Sequence, residues 1–506
     1  MTSSLTSFLT SFAEQCGVHT AARQAALART AKLIEASGVE LVRFAWCDLH
    51  GMLRGKTLVA SAAVKAMMSG VGMVSTLLLK DSGDRTAYKV FESDSAAELP
   101  GFEFAGNVML LADPASYQQL PWASKTGWVQ CQAWHADHNG EAVPVEFDTR
   151  RVLQKALAKL AEAGYGMTCG LELEFHIYKL NTSQPSDSVN PMLADWPGPA
   201  PSVSMIHPGY HLLSEQWADM ADEPLRIVHH TAQALGLPLL SLEIELGPSQ
   251  VEAVFDATDA LTAADNMVRF RSGVKQALRR AGYHATFMCR PPFPFIMSSG
   301  WHLHQSLTDL ATGANSFMRQ VTETGSASQD AGYTLSQVGQ HYLAGLLAHA
   351  QGMAPFCTSS INGYERFKPH SLAPQSAVWG RDNRGAMLRV IGGPNDTATR
   401  IENRIGEPTA NPYLYIASQI YAGLDGIAAQ MPAPPATTAP YAANDKLLPS
   451  SLSQALDLLS EDATLTTAFG ADFVRYFTRI KAAEIARYNQ ATDKDEWLRR
   501  EYFGRV

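Results

Sequence analysis

The chain has 506 residues, 46% of them hydrophobic, and carries 40 basic against 49 acidic side chains for a formal charge of −9. That length exceeds one ordinary core, so two or more domains, or one large enzyme domain with an annex, are expected, and the acidic balance argues against nucleic acid as the main partner. No apolar run reaches the roughly 20 residues of a membrane span. The six cysteines (Cys16, Cys47, Cys131, Cys169, Cys289 and Cys357) form neither a C-x-x-C pair nor a disulfide framework, which suits a reducing cytoplasm.

The opening "MTSSLTSFLTSFAEQCG" has no basic residue before Arg23, so it fits neither a secretory nor an Arg-rich transit signal. Leu5, Phe8, Leu9 and Phe12 recur at helical spacing, and residues 1–38 read as a helical extension ending at Gly38. Short apolar strands and turns over 39–140 predict a small α+β domain, with "HADHNGEAVPVEFD" (135–148) a polar linker candidate at its end. "TRRVLQKALAKLAEAG" then predicts a helix with Thr149 as N-cap, an apolar stripe of Val152, Leu153, Ala156, Leu157 and Leu160, and Gly164 as terminator.

Next comes "CGLELEFHIYKL" (169–180). Glu172 and Glu174 alternate with Leu171, Leu173 and Phe175, the period of a strand with one face in a core. Both carboxylates then share a face, where like charges repel and burial is costly. Residues 181–206, rich in Pro, Ser and Asn, predict a long loop. "SLEIELGPSQVEAVF" (241–255) repeats the acidic alternation with Glu243 and Glu245, and Glu252 follows a Gly-Pro turn. "SSGWHLHQSL" (298–307) puts His302, His304 and Ser306 on one face. "TRIENRIGEP" (399–408) does the same with Glu402 and Arg404. A second long loop is expected at 431–441, and a helical tail from Ser450.

Taken singly, a strand glutamate faces solvent and a lone histidine is a packed residue. Taken together, several strands bearing carboxylates and a histidine on one face suit hard divalent cations, whose charge offsets the repulsion. Arg366, Arg384, Arg389, Arg400 and Arg404 add guanidinium forks suited to carboxylates and phosphates. Metal plus arginines suggests phosphoryl transfer from a nucleotide. The chain has neither G-x-x-x-x-G-K-[ST] nor the kinase glycine loop with its partners, so it is neither a P-loop enzyme nor a kinase of that type.

"GLELEF", "E-x-G-P-S-Q-x-E", "SGWHLHQSL", "INGYERF", "NRGAMLRV" and "RIENRIGEPTANPYLYIA", in this order from about residue 40 onward, resemble the motifs of the glutamine synthetase family. The resemblance implies an α+β protein with a small β-grasp-like N-terminal domain (39–140) and a large catalytic α/β domain (141–506). It also implies a homo-oligomer of two hexameric rings, with Asp48 of "DLHGMLRGK" supplied to a neighbouring subunit's site. Glu174, Glu245 and Glu252 match the ligands of one Mg²⁺ or Mn²⁺, and Glu172, His302 and Glu402 those of a second. Arg366 and Arg404 match glutamate-binding arginines. His304, Ser306, Arg384, Arg389 and Arg400 fall on the ATP side, with Arg384 also catalytic. The implied reaction phosphorylates the γ-carboxylate of glutamate with ATP, and an amine then attacks, with Asp48 helping to bind or deprotonate it.

Three departures bear on the amine. Glutamine synthetases carry a flap glutamate six residues after the position of Arg366, where this chain has Leu372. Their Asn-Gly pair stands here as Met297-Ser298, with Trp301 in place of a smaller residue. A lysine near the nucleotide is Thr397. Leu372, Met297 and Trp301 are therefore expected to wall an amine pocket, and the reading favoured is a ligase forming a γ-glutamylamide from L-glutamate and a hydrophobic alkyl or aryl amine. The alternatives are a γ-glutamylpolyamine synthetase, an ordinary glutamine synthetase using ammonia, and an inactive structural relative.

Overall fold

A computed structural model of the chain describes residues 11–92, 99, 101–136, 142–181, 195–321, 334–369, 371–442 and 446–506. Two compact units emerge: Met1–Lys80 with Thr86–Arg151, and Asp81–Arg85 with Val152–Val506.

In the smaller unit, β1 (Leu41–Cys47), β2 (Leu53–Val59), β3 (Val71–Val74), β4 (Asn107–Ala112), β5 (Gln118–Gln119), β6 (Thr126–Ala136) and β7 (Ala142–Pro144) form one sheet. Its order is β2-β1-β6-β4-β3, with β5 and β7 also paired to β6. β1 and β6 run parallel, and their inward side chains, such as Val42, Phe44, Val129 and Ala133, are buried. The helical N-terminal stretch is seen as Phe12–Gln15, capped by Ser11, and Ala21–Ala36, capped by Thr20. Leu5, Phe8 and Leu9 lie outside the described residues.

Two local expectations change here. The stretch 135–148 is not a linker at its described ends, because β6 continues to Ala136 and β7 pairs back onto it. Its last residue, Asp148, is buried and accepts from Ala133 N at 2.8 Å and Trp46 Nε1 at 3.2 Å. Asp148 also caps the helix Thr149–Glu162, accepting from Arg150 N at 3.1 Å and Arg151 N at 3.3 Å, so Thr149 is inside the helix. An aspartate just outside a first turn meets orphan N–H groups that a threonine within it cannot reach.

In the larger unit a nine-stranded sheet is built around β8 (Tyr165–Leu180). With β9 (Val203–Met205), β10 (Leu239–Ile244), β11 (Gln250–Asp259), β12 (Tyr283–Thr286), β13 (Trp301–Asp309), β14 (Trp379–Arg381), β15 (Leu388–Ile391) and β16 (Arg400–Asn403), it runs β10-β11-β8-β13-β16-β15-β14; β9 and β12 also pair with β8. One face of β8 carries Leu171, Leu173, Phe175 and Ile177, all buried. Helix Ala260–Arg280 covers it through Phe270, whose ring meets those of Phe175 and Phe255 at 5.9 and 4.9 Å. Helix Pro412–Ala428 adds Tyr415 against Trp301, edge-on at 4.9 Å. The apolar layer is thus on one side, which leaves the other face of the sheet for polar groups. Residues 431–441 are irregular as expected. Of the loop 181–206, residues 182–194 lie outside the described set, and Val203–Met205 is a strand.

Candidate active site

The register brings the acidic strands together. Glu252 on β11 stands opposite both Glu243 of β10 and Glu174 of β8. Glu172 is opposite His302, His304 is opposite Glu402, and Glu402 is opposite Arg389. Directly paired residues on one face have Cβ atoms about 5 Å apart, and period 2 keeps all of these off the apolar side. Glu245 lies just beyond β10, its N–H bonded to the carbonyl of Gln250 at 3.0 Å.

Glu172 is the centre of the donor set. Its carboxylate meets His302 Nδ1 at 3.2 Å and His304 Nε2 at 2.9 Å. The donor atoms of Glu172, His304 and Glu402 lie within 4.8 Å of one another, as do those of Glu172, Glu252 and His302. These trios divide the donors differently from the two triads implied by the resemblance, because both histidines turn onto Glu172. Glu174 accepts from Gly300 N at 2.8 Å and from Gln250 Nε2 at 3.2 Å.

Electrostatics divide this face in two. Burial raises Glu174 to about 7, with Glu245 adding to the effect. Burial and the charges of Glu174, Glu172 and Glu245 raise Glu252 to about 10, and burial also raises Glu245. Burial opposes ionisation of Glu172 as well, but His302 and His304 outweigh it and hold that carboxyl below its usual range. Glu402 is likewise lowered against burial by His302 and Arg404. Burial, then Arg404, depresses His302 to about 4, so its imidazole is neutral with a lone pair to offer. Carboxylates crowded enough to retain protons, beside a neutral imidazole, fit a hard divalent cation, which would displace those protons.

Arginines close the opposite edge. Arg389 donates to Glu402 at 2.9 Å and to Asp382 at 2.9 Å. Arg404 donates to Glu402, to the carbonyl of Arg384 at 3.0 Å and to the carbonyl of Leu372 at 3.2 Å. Arg366, buried, donates to the carbonyls of Arg404 at 2.8 Å and Gly406 at 3.0 Å. The side chain of Arg384 is exposed. Beside Glu172 a cleft of about 370 Å³ runs along His304, Ser306, Asn315, Thr397 and Arg400. Arg400 Nε donates to His304 Nδ1 at 3.0 Å, which orients that imidazole. The volume lies within the range of small-ligand pockets.

Of the three expected amine-pocket residues, Leu372 is exposed, with φ +56°, and Met297 is half-buried against Gly247, where an added Cβ would lie 2.8 Å from Met297 Cβ. Trp301 is a correction. It is fully buried on the apolar face, opposite Leu173, so it belongs to the core and walls no pocket. The same alternation that puts His302 and His304 on the polar face puts Trp301 on the other. Within the smaller unit, Asp48 is buried and accepts from His50 N at 3.0 Å, Met52 N at 2.9 Å and Arg54 Nε at 2.6 Å. Burial opposes its charge, but Arg54 and His50 hold it below its usual value. Sequence reasoning missed Gln250, although it sat inside the quoted E-x-G-P-S-Q-x-E segment. It also missed Asp382, which nothing in the local pattern distinguishes.

This sheet, with donors on one face and a cleft beside them, matches known proteins over most of its length. Residues 146–500 match the glutamine synthetase catalytic domain. The γ-glutamylanilide synthase of an Acinetobacter species is 37% identical over 487 residues, 93% of this chain and 94% of that one. The glutamate–isopropylamine ligase of a Pseudomonas species is 30% identical over 478 residues, 92% and 96% of the two chains. A solved structure of ligand-free GmaS superposes with a TM-score of 0.72 at 26% identity, covering 93% of this chain and 98% of that one. The chain is an ATP-dependent carbon–nitrogen ligase of the glutamate–amine type. It belongs to the glutamine synthetase family, and among its members it is most like the γ-glutamylamide synthetases. The family uses ATP and divalent metals. No helix among the described residues is long and apolar enough to cross a membrane.

Proposed function

We propose that the enzyme joins L-glutamate to a hydrophobic primary amine, alkyl or aryl, through γ-glutamyl phosphate. The observation that carries this reading is Leu372, an apolar side chain exposed beside Arg404, which holds its carbonyl. An ammonium ion is strongly hydrated and finds no carboxylate there, whereas an alkyl or aryl group gains by leaving water. The names of the anilide and isopropylamine relatives support the same choice.

ATP occupies the cleft beside His304, Ser306 and Arg400, its terminal phosphate toward Glu172. Mg²⁺ or Mn²⁺ held by Glu172, Glu174, Glu245, Glu252, His302 and Glu402 supplies positive charge against the phosphates. Arg366 and Arg404 bind glutamate. A γ-carboxylate oxygen attacks the terminal phosphorus and ADP leaves, while Arg384 and Arg389 balance charge on the transferring group. The amine nitrogen then attacks the acyl carbon, the carbon–oxygen bond breaks, phosphate departs and the nitrogen loses a proton. Asp48, assigned on the resemblance, anchors or deprotonates the amine, and the active assembly is the double hexameric ring.

Phosphate release with glutamate and ATP over a panel of ammonia, putrescine, isopropylamine and aniline tests this. Highest kcat/KM with an apolar amine is expected. Ammonia as best substrate would replace the reading with glutamine synthesis, and putrescine with polyamine glutamylation.

A further inference from the structure

With Trp301 in the core, the apolar wall needed by a hydrophobic amine must come from elsewhere. The loop "HPGYHLL" (207–213) runs beside the acidic cluster and is bonded on both sides of Glu245: Tyr210 N donates to the carbonyl of Leu246 at 2.7 Å and Leu213 N to that of Ile244 at 3.0 Å. Gly209, at φ +74°, lies so close to the next turn that an added Cβ would meet Pro248 N at 2.5 Å. Trp217 Nε1 fixes the loop from behind by donating to the carbonyl of Gly209 at 3.1 Å. The segment is therefore rigid, yet Tyr210 is 56% exposed, and Leu212 and Leu213 are exposed too.

A second segment meets it. The Tyr210 hydroxyl donates to the carbonyl of Phe295, and Phe295 is 83% exposed. Two residues on, Met297 packs on Gly247, whose N–H is held by Gln250, the residue that also donates to Glu174. Tyr210 and Phe295 both have φ near +57°, at +56° and +58°, a region that bulky side chains enter at a cost and that concentrates at functional sites. Rigid, strained backbone displaying large apolar side chains beside a polar centre marks a binding surface. Neither 207–213 nor 293–298 contains a carboxylate, so this rim offers nothing to a second ammonium group.

We infer that Tyr210 and Phe295, with Met297, form the subsite for the apolar substituent of the amine, and that they favour flat or branched hydrocarbon groups over ammonia and polyamines. This inference rests on the ligase reading above and adds the residues that set its substrate class.

The test is kcat/KM for aniline, isopropylamine and methylamine in wild type, Tyr210→Ser, Phe295→Ser and Tyr210→Phe. Losing ring contact should lower the aniline-to-methylamine ratio about tenfold or more in each serine variant, while Tyr210→Phe keeps most of it. Fluorescence of Phe295→Trp should shift when aniline is added with glutamate and ATP. An unchanged ratio in both serine variants, or no shift in Phe295→Trp, overturns the subsite. An unchanged ratio with a smaller assembly by light scattering also overturns it and makes the rim a surface between copies. A wild type that releases no phosphate with any amine overturns the ligase reading itself, and the two failures are thereby distinguished.

Discussion

The side-chain amide of Gln250 donates to the carboxylate of Glu174 at 3.2 Å. The same nitrogen reaches Ser299 Oγ at 3.0 Å and the carbonyl of Ser298 at 3.3 Å, and the amide oxygen accepts from Gly247 N at 2.9 Å. One buried glutamine thus ties together β8, the turn after Glu245 and the segment that leads into β13.

Gln250 therefore orients Glu174 without contacting substrate. Partners of metal ligands cost roughly 10- to 100-fold in affinity or activity when removed. Gln250→Leu is expected to raise the Mn²⁺ dissociation constant by about that factor in calorimetric titration, with activity partly recovered at high metal. Unchanged Mn²⁺ affinity would make Gln250 a brace for the turn alone.

Removing a donor should be harsher. Glu245→Ala or His302→Ala is expected to reduce amine-dependent phosphate release by at least about a hundredfold. Thermal stability should hold or rise slightly for Glu245→Ala, because a buried carboxylate among like charges is removed. Wild-type rates in either variant would remove that residue from the metal assignment.

Leu372→Glu places a charge where the apolar amine is proposed to lie. Burial of about 100 Å² at ~25 cal/mol per Å² is worth about 2.5 kcal/mol, so kcat/KM for the preferred amine should fall by a factor on the order of 70. Ammonia use should rise relative to it. If both amines keep their wild-type values, the side chain at 372 does not face the amine.

Away from the site, His349 lies between Asp462 and Asp425, at 2.7 and 2.9 Å. Burial lowers its pKa, but the two aspartates outweigh this and lift it above the model-compound value of 6.5. A folded pKa raised in this way stabilises fully below about 6.5, and the gain is lost as pH climbs through the folded value. Asp462 works in the opposite sense: burial raises it, His349 and Leu465 N outweigh burial, and its contribution fades as pH falls below about 3.8. The melting temperature should therefore decline as pH rises above about 6.5, and His349→Gln should flatten that decline. An identical pH profile in the variant would show that the bridge contributes nothing.

The sequence by itself determined the strand around Glu172 and Glu174 and the side on which both carboxylates lie. A strand alternates faces by backbone geometry, so local period alone carries that information. The same rule made Trp301 legible as a core residue, since it is out of phase with His302 and His304, although its place beside the metal histidine suggested a pocket. Tertiary structure decided what lies opposite what. Glu252 meets Glu174 because β11 pairs with β8 in one register, and a slip of one residue would have put Glu252 in the apolar layer. Gln250 reaches Glu174, and Tyr210 reaches Phe295, 85 residues away along the chain, only because turns and loops were brought together by burying the face they do not share. No local periodicity encodes such meetings, because they follow from how whole layers pack.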